Sequence, residues 1–217
     1  FEAWAQQNFL DDKVSVLIGL YDLNSEFDVL RPGTIFINSS YGIGAEYAQS
    51  GLNGPSIFPI SSLGTRWSFA LSKQVKLKVA VLDAIPGNVN DPKSNRIHIS
   101  SDEGALLAFE TSYYTSTTTK YEMQRGYVTR RKKVGRQHSI PTNDKINLGG
   151  WYYTSSYPHL DGSGFSAGNF GVYVGAQKYW FYSDYDDRYI ALFARYGIAA
   201  QEYNQLGSAM SGGIVFA

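Results

Sequence analysis

The chain has 217 residues, no cysteine, and 19 acidic and 19 basic side chains. These numbers exclude a disulfide framework, and a net charge of zero gives no indication of a polyanion partner such as nucleic acid. The apolar stretch at residues 14–20 is only seven residues long, whereas a membrane helix needs about 18 or more. If this chain crosses a membrane, it crosses as strands.

Apolar residues alternate with polar or small ones in about nine segments, a pattern that predicts strands with one apolar face. In one of them, Val79 and Val81 fall in one phase and Lys78 in the other. A lysine facing lipid near the midplane would cost about 2–4 kcal/mol, so Lys78 is predicted to face inward or to lie at the rim. The predicted strands are 1–9, 14–21, 65–72, 75–81, 107–113, 146–153, 170–177, 189–196 and 207–216.

The phase of each strand predicts which side chains face outward and which face inward. The outward set is apolar and consists of Trp67, Phe69, Leu107, Phe109, Val172, Val174 and Leu192. The inward set is polar or aromatic and consists of Arg66, Glu110, Trp151, Gln177 and Arg195.

Short and long connections alternate along the chain. The connections at 10–13, 73–74 and 183–188 are short, and those at 22–63, 83–104 and 155–168 are long. A soluble antiparallel sandwich also has alternating strands, but it has no reason to alternate its connection lengths. Short turns on one side and long loops on the other are typical of a transmembrane β-barrel.

Residues 115–145 break this rule, because a long basic insertion occupies the side of the short turns. It carries eight basic residues against Glu122 and Asp144, a net charge of +6, which leaves −6 for the rest of the chain. A solvated hairpin would explain it. The functional alternative is a periplasmic arm at 120–136 that contacts anionic cell-wall polymer, lipid headgroups or a partner.

Enzymatic and metal-binding motifs are weak. The G-F-S-A-G run at 164–168 fits a nucleophile elbow only if a strand precedes it and a helix follows. His98, His138 and His159 lack metal-ligand spacing, and D-Y-D-D at 184–187 is more typical of a solvated turn than of a calcium site. We therefore predict no enzyme, no cofactor and no metal.

Six runs, in order along the chain, resemble the carbohydrate-selective porins of the OprB family. They are G-L-Y-D-L-N-S-E-F at 19–27, S-G-L-N-G-P-S-I-F-P at 50–59, L-G-T-R-W at 63–67, G-G-W-Y-Y-T at 149–154, G-N-F-G-V-Y at 168–173 and L-F-A-R-Y-G at 192–197. The resemblance covers most of the chain. It implies an all-β, antiparallel transmembrane barrel, and family members carry more barrel on both sides of the matched positions. We therefore expect an internal fragment, about nine strands of a sixteen-stranded barrel, with open edges at 1–9 and 207–217.

The resemblance further implies that the 22–63 connection folds inward and constricts the pore. A sugar has hydroxyl edges and apolar faces, so charged groups and aromatic rings on this loop and on the inner face are candidates for contacting it. Each of them could instead be a wall residue paired with its neighbour. The predicted pore-lining residues are Glu26, Arg31, Glu46, Tyr47, Asn53, Arg66, Glu110, Trp151, Tyr173, Gln177 and Arg195.

Three functional hypotheses follow. The leading one is a passive channel in the bacterial outer membrane, with mono- and oligosaccharides as solutes and outer-membrane lipid around it. The alternative is an outer-membrane scaffold or adhesin barrel anchored to the cell wall by the basic insertion. A soluble carbohydrate-binding sandwich is the third. Planar-bilayer conductance with sugar block separates the first from the others.

Overall fold

A computed structural model describes residues 2–87, 97, 103–115, 144–180 and 189–216. Its strands are β1 (Ala3–Phe9), β2 (Val14–Tyr21), β3 (Ser62–Ala70), β4 (Val75–Asp83), β5 (Ala105–Tyr114), β6 (Lys145–Tyr153), β7 (Ser156–Pro158), β8 (Phe165–Ala167), β9 (Phe170–Trp180), β10 (Ile190–Ala199) and β11 (Ser208–Phe216).

Nine of these strands form one antiparallel sheet in the order β1-β2-β3-β4-β5-β6-β9-β10-β11. Every strand pairs with its neighbour along the chain, except that β7 and β8 form a separate hairpin between β6 and β9. The strands β1 and β11 are the two edges and do not pair with each other. The nine predicted strands and the predicted open edges are therefore confirmed, and the two packed sheets of a sandwich are not the architecture.

The two faces of the sheet differ as the alternation predicts. On β5, Phe109 is 46% exposed on the outer face, whereas the next residue, Glu110, is fully buried on the inner face. On β10, Leu192 is exposed and Arg195 is buried. An apolar outer face and a polar inner face suit a wall with lipid on one side and an aqueous lumen on the other.

The connection between β2 and β3 contains the helical structure of the described chain. Three 3₁₀ turns (Leu23–Ser25, Arg31–Ile35 and Ser39–Tyr41) and one short α-helix, α1 (Ala45–Ala48), lie within it. Within the described ranges, no helix is long and apolar enough to cross a membrane. The residue pattern did not predict these 3₁₀ turns, α1 or the β7–β8 hairpin, because three to five residues are too few for a visible periodicity.

Three predictions fall on residues outside the described ranges. They concern most of the basic insertion, the histidines at 98 and 138, and the acidic run at 184–187. Lys145, counted above with the insertion, is the first residue of β6 and is buried on the inner face.

Candidate functional site

The connection at residues 22–61, here called the inner segment, lies against the inner face of the sheet. Its first part, residues 26–31, crosses five neighbouring strands from β3 to β9 and is called the strap. Adjacent strands lie about 4.8 Å apart, so the five strands span about 19 Å. The backbone of the strap bends at Asp28, which has a φ of 56°, and the long side chains of Arg66, Lys78 and Lys145 reach out from the wall to meet it.

The strap contacts each strand that it crosses. At β3, Glu26 forms an ion pair with Arg66 at 2.9 Å. At β4, Lys78 donates a hydrogen bond to the Glu26 carbonyl. The Asp28 N–H donates to Glu110 of β5 at 2.8 Å. At the far end, Lys145 of β6 donates to the Val29 carbonyl at 2.6 Å, and the Arg31 N–H donates to Gln177 of β9 at 2.9 Å.

Glu110 is the centre of this network. Besides the Asp28 N–H, its carboxylate accepts hydrogen bonds from Asn147 at 3.1 Å and from the Tyr173 hydroxyl at 3.0 Å. Lys78 lies 2.8 Å from the other carboxylate oxygen. A buried charge is costly unless it is paired and hydrogen-bonded, and Glu110 meets both conditions with partners from β4, β6, β9 and the strap.

Arg195 of β10 binds two carboxylates of the inner segment at once. Its Nε and Nη2 donate to Asp28 at 3.0 and 2.7 Å, and its Nη1 donates to Glu46 of α1 at 2.8 Å. Glycine leaves room for this arrangement: a Cβ on Gly44 would come within 2.0 Å of the guanidinium, and one on Gly197 within 2.0 Å of the Glu46 carboxylate. The fork geometry of arginine suits such double recognition.

Burial raises the pKa of Asp28 to about 6, although the Arg195 guanidinium and the Gly44 N–H oppose that shift. Asp28 belongs to the inner segment, outside the strands. With Asp28 ionised, Arg195 and its two carboxylates carry a formal charge of −1.

An aromatic cluster lies beside these charged residues, towards the ends of the strands that carry the long connections. The Tyr47 ring stacks on Trp151 with centroids 5.2 Å apart and an angle of 13°. The Tyr173 ring covers Gly149, where a Cβ would come within 2.3 Å of it. Burial raises the pKa of the Tyr47 hydroxyl well above its usual value. These rings therefore pack between the inner segment and the wall.

The whole chain, residues 1–217, matches the family model of the carbohydrate-selective porins, OprB family. The chain belongs to this family. Among solved structures, the fold is similar to that of Pseudomonas putida OprB at high pH, with a TM-score of 0.70 and 17% identity. That match covers 98% of this chain and 48% of the Pseudomonas chain, so this chain spans about half the length of that porin. No curated protein matches the chain.

In this OprB-family chain, the predicted site residues lie mostly where the inner segment meets the wall. Nine of them fasten the segment or pack beneath it: Glu26, Glu46, Tyr47, Arg66, Glu110, Trp151, Tyr173, Gln177 and Arg195. Asn53 anchors the far part of the segment by donating to the Pro86 carbonyl at 2.7 Å. The Arg31 side chain is exposed and makes no ion pair with the described residues.

Asp28, Lys145 and Asn147 have comparable roles that sequence reasoning missed. Asp28 is a single acidic residue in an irregular segment, and no local pattern marks it. Asn147 and Lys145 could have been found, because both share the inward phase of β6 with Trp151.

Ser166 of the G-F-S-A-G run lies in β8, without the strand-to-helix turn that a nucleophile elbow requires. It is 2.8 Å from His159 Nε2 and also bonds the Tyr203 hydroxyl. This network fastens the β7–β8 hairpin to the turn between β10 and β11. Within the described ranges, no cluster of three metal-ligating side chains occurs.

Proposed function

We propose that this protein is a passive outer-membrane channel for mono- and oligosaccharides, and that its inner segment narrows the lumen. The observation that carries the proposal is the strap, which ion pairs and hydrogen bonds hold across five strands on the inner face. A long connection held inside a wall reduces the cross-section available to a solute.

The charged residues where the inner segment meets the wall support selection of neutral solutes. The inner segment contributes Glu26, Asp28 and Glu46, and the wall adds Glu110, a formal charge of −4. Four basic wall residues, each buried on the inner face, balance it: Arg66, Lys78, Lys145 and Arg195. Because these charges compensate one another within the wall, little net field remains to draw ions through this part of the lumen.

Transport by passive diffusion also limits how tightly the channel can bind its solute. A solute must bind well enough to enter and weakly enough to leave, which corresponds to dissociation constants no better than roughly millimolar. No energy input is required for such transport.

The test is conductance in planar bilayers, with the protein produced together with any flanking sequence that its gene encodes. We expect stable ion-conducting pores whose current falls on addition of glucose or maltose with millimolar affinity. A protein that inserts without conducting would support the scaffold or adhesin hypothesis instead. Extraction into aqueous buffer without detergent would contradict a membrane channel altogether.

A further inference from the structure

An open cavity lies on the inner face of β9, β10 and β11, beside the part of the inner segment at 38–41. Its volume is about 720 Å³, and residues 174–176, 194–196 and 210–212 of the three strands line it; Gly175, Arg195 and Ser211 form the inward-facing transverse row among them. Asn38, Ser40 and Tyr41 form its side. The size falls in the range of small-molecule sites, about 300–1,000 Å³.

The cavity lies at mid-depth in the wall. Arg195 is the sixth of the ten residues of β10 and pairs with Gly175 on one side and Ser211 on the other. Of the three residues in this row, Ser211 is partly exposed, whereas Gly175 and Arg195 are buried. A solute that passes along the inner segment would therefore meet this cavity midway through the membrane.

The cavity offers neutral hydrogen-bonding groups. The side-chain Oδ1 of Asn38 accepts from Ser40, but its side-chain Nδ2 has no partner among the described residues. The hydroxyls of Tyr41 and Ser211 likewise have no hydrogen-bond partner in the described part of the chain. Together these three side chains can donate to and accept from hydroxyl groups.

The charged groups at the cavity disfavour an ionic ligand. Among the described residues that line the cavity, Arg195 alone is charged, and Asp28 and Glu46 already share its guanidinium. An incoming phosphate or carboxylate would have to compete with both carboxylates. A neutral polyhydroxylated solute faces no such competition.

We propose that this cavity is a sugar-binding subsite in which Asn38, Tyr41 and Ser211 hydrogen-bond the hydroxyls of a passing sugar. The inference rests on the proposed function and assigns contacts to residues other than the charged wall groups. Three neutral hydrogen bonds in an open cavity suit the weak affinity that conduction requires.

The experiment measures block of single-channel current by maltose in Tyr41→Phe, Asn38→Ala and Ser211→Ala variants. A neutral hydrogen bond contributes about 0.5–1.5 kcal/mol, so each variant should bind maltose about two- to tenfold more weakly. The matched control is Ser39→Ala, which removes an exposed hydroxyl from the same 3₁₀ turn without touching the cavity. Its affinity should equal that of the unmodified channel.

Three results would overturn the subsite. If the unmodified channel is blocked by maltose and all three variants bind it equally well, the subsite is wrong and the proposed function stands. Stronger block by a sugar phosphate than by maltose, lost in the same variants, would show that the cavity selects anions. If maltose and glucose do not block the unmodified channel at all, both the subsite and sugar selection fail. Tyr41→Phe removes a single oxygen atom, so the channel is expected to assemble.

Discussion

The Arg195 guanidinium donates to the Asp28 carboxylate from two nitrogens, at 3.0 and 2.7 Å, and so joins the tenth strand to the strap. The two residues are 167 positions apart in the chain. Because Arg195 also holds Glu46 of α1, one side chain fixes both the strap and the helix that follows it. Arg195 therefore ties two separate parts of the inner segment to one strand.

We expect Arg195→Gln to loosen the inner segment. Removing one partner of a buried ion pair costs about 3–5 kcal/mol, because the remaining charge stays buried, and here two carboxylates lose their partner. In detergent, the inner segment should become cleavable by protease, and single-channel current should become noisier. The control is Arg31→Gln, which removes an exposed arginine from the strap and should leave both readouts unchanged. Equal protection of the two variants would show that Arg195 does not anchor the segment.

Channel selectivity should depend on pH around the pKa of Asp28, which burial raises to about 6. Below pH 6, protonation of Asp28 changes the summed formal charge of the four acidic and four basic residues from 0 to +1, so selectivity should shift towards anions. Reversal potentials in a salt gradient at pH 5 and pH 7.5 measure this, and Asp28→Asn should abolish the difference. A change that persists in Asp28→Asn would assign the titration to another group.

The raised pKa of Asp28 also makes the stability of the folded protein depend on pH. The native protein binds the Asp28 proton more tightly than the unfolded chain does, since the ordinary pKa is 3.8. The stabilisation from this group is therefore full below pH 3.8 and is lost as the pH rises through about 6.

The Tyr173 ring packs directly over Gly149, where no side chain occupies the space. We expect Gly149→Ala to push this ring off the wall, because the new Cβ would come within 2.3 Å of it. Overpacking of this kind costs about 1–3 kcal/mol, and it also disturbs the hydrogen bond from Tyr173 to Glu110. The midpoint of thermal unfolding in detergent measures the loss. Gly212→Ala is the control, since its Cβ would point to the outer face and would meet its nearest atom at 3.1 Å. An equal decrease of the unfolding midpoint in both variants would contradict this explanation.

The sequence predicts the sheet well because strand periodicity reflects a strong physical difference between the two faces. The inward phase of Arg66, Glu110 and Arg195 follows directly from their apolar neighbours. Their partners do not follow, because an ion pair such as Arg195 with Asp28 depends on how an irregular segment crosses the sheet. For the same reason, Trp151 and Tyr173 could be placed on the inner face but not recognised as packed beneath Tyr47.

The inner segment should limit conductance through its second half as well. Ser56 there donates to the Tyr21 carbonyl at 2.6 Å and accepts from the Ser62 N–H at 2.7 Å, so this part is also fastened to the wall. Deleting residues 51–59 should raise single-channel conductance and weaken sugar block, because the lumen widens. Asn53→Ala, which removes only the bond to Pro86, should have a smaller effect. An unchanged channel after the deletion would place the constriction elsewhere.

The basic insertion should lie on the periplasmic side. Its two stems, Thr115 and Asp144, are joined by a backbone hydrogen bond at 3.2 Å and lie at the same end of the sheet as the short turns at 10–13 and 71–74. Porins place short turns in the periplasm.

The chain has no cysteine, so a single Lys132→Cys can be probed in intact cells with a membrane-impermeant thiol reagent. We expect no labelling until the outer membrane is permeabilised. Ser163→Cys, on the exposed hairpin connection at the opposite end, should be labelled at once; external labelling of Lys132→Cys would reverse the assignment.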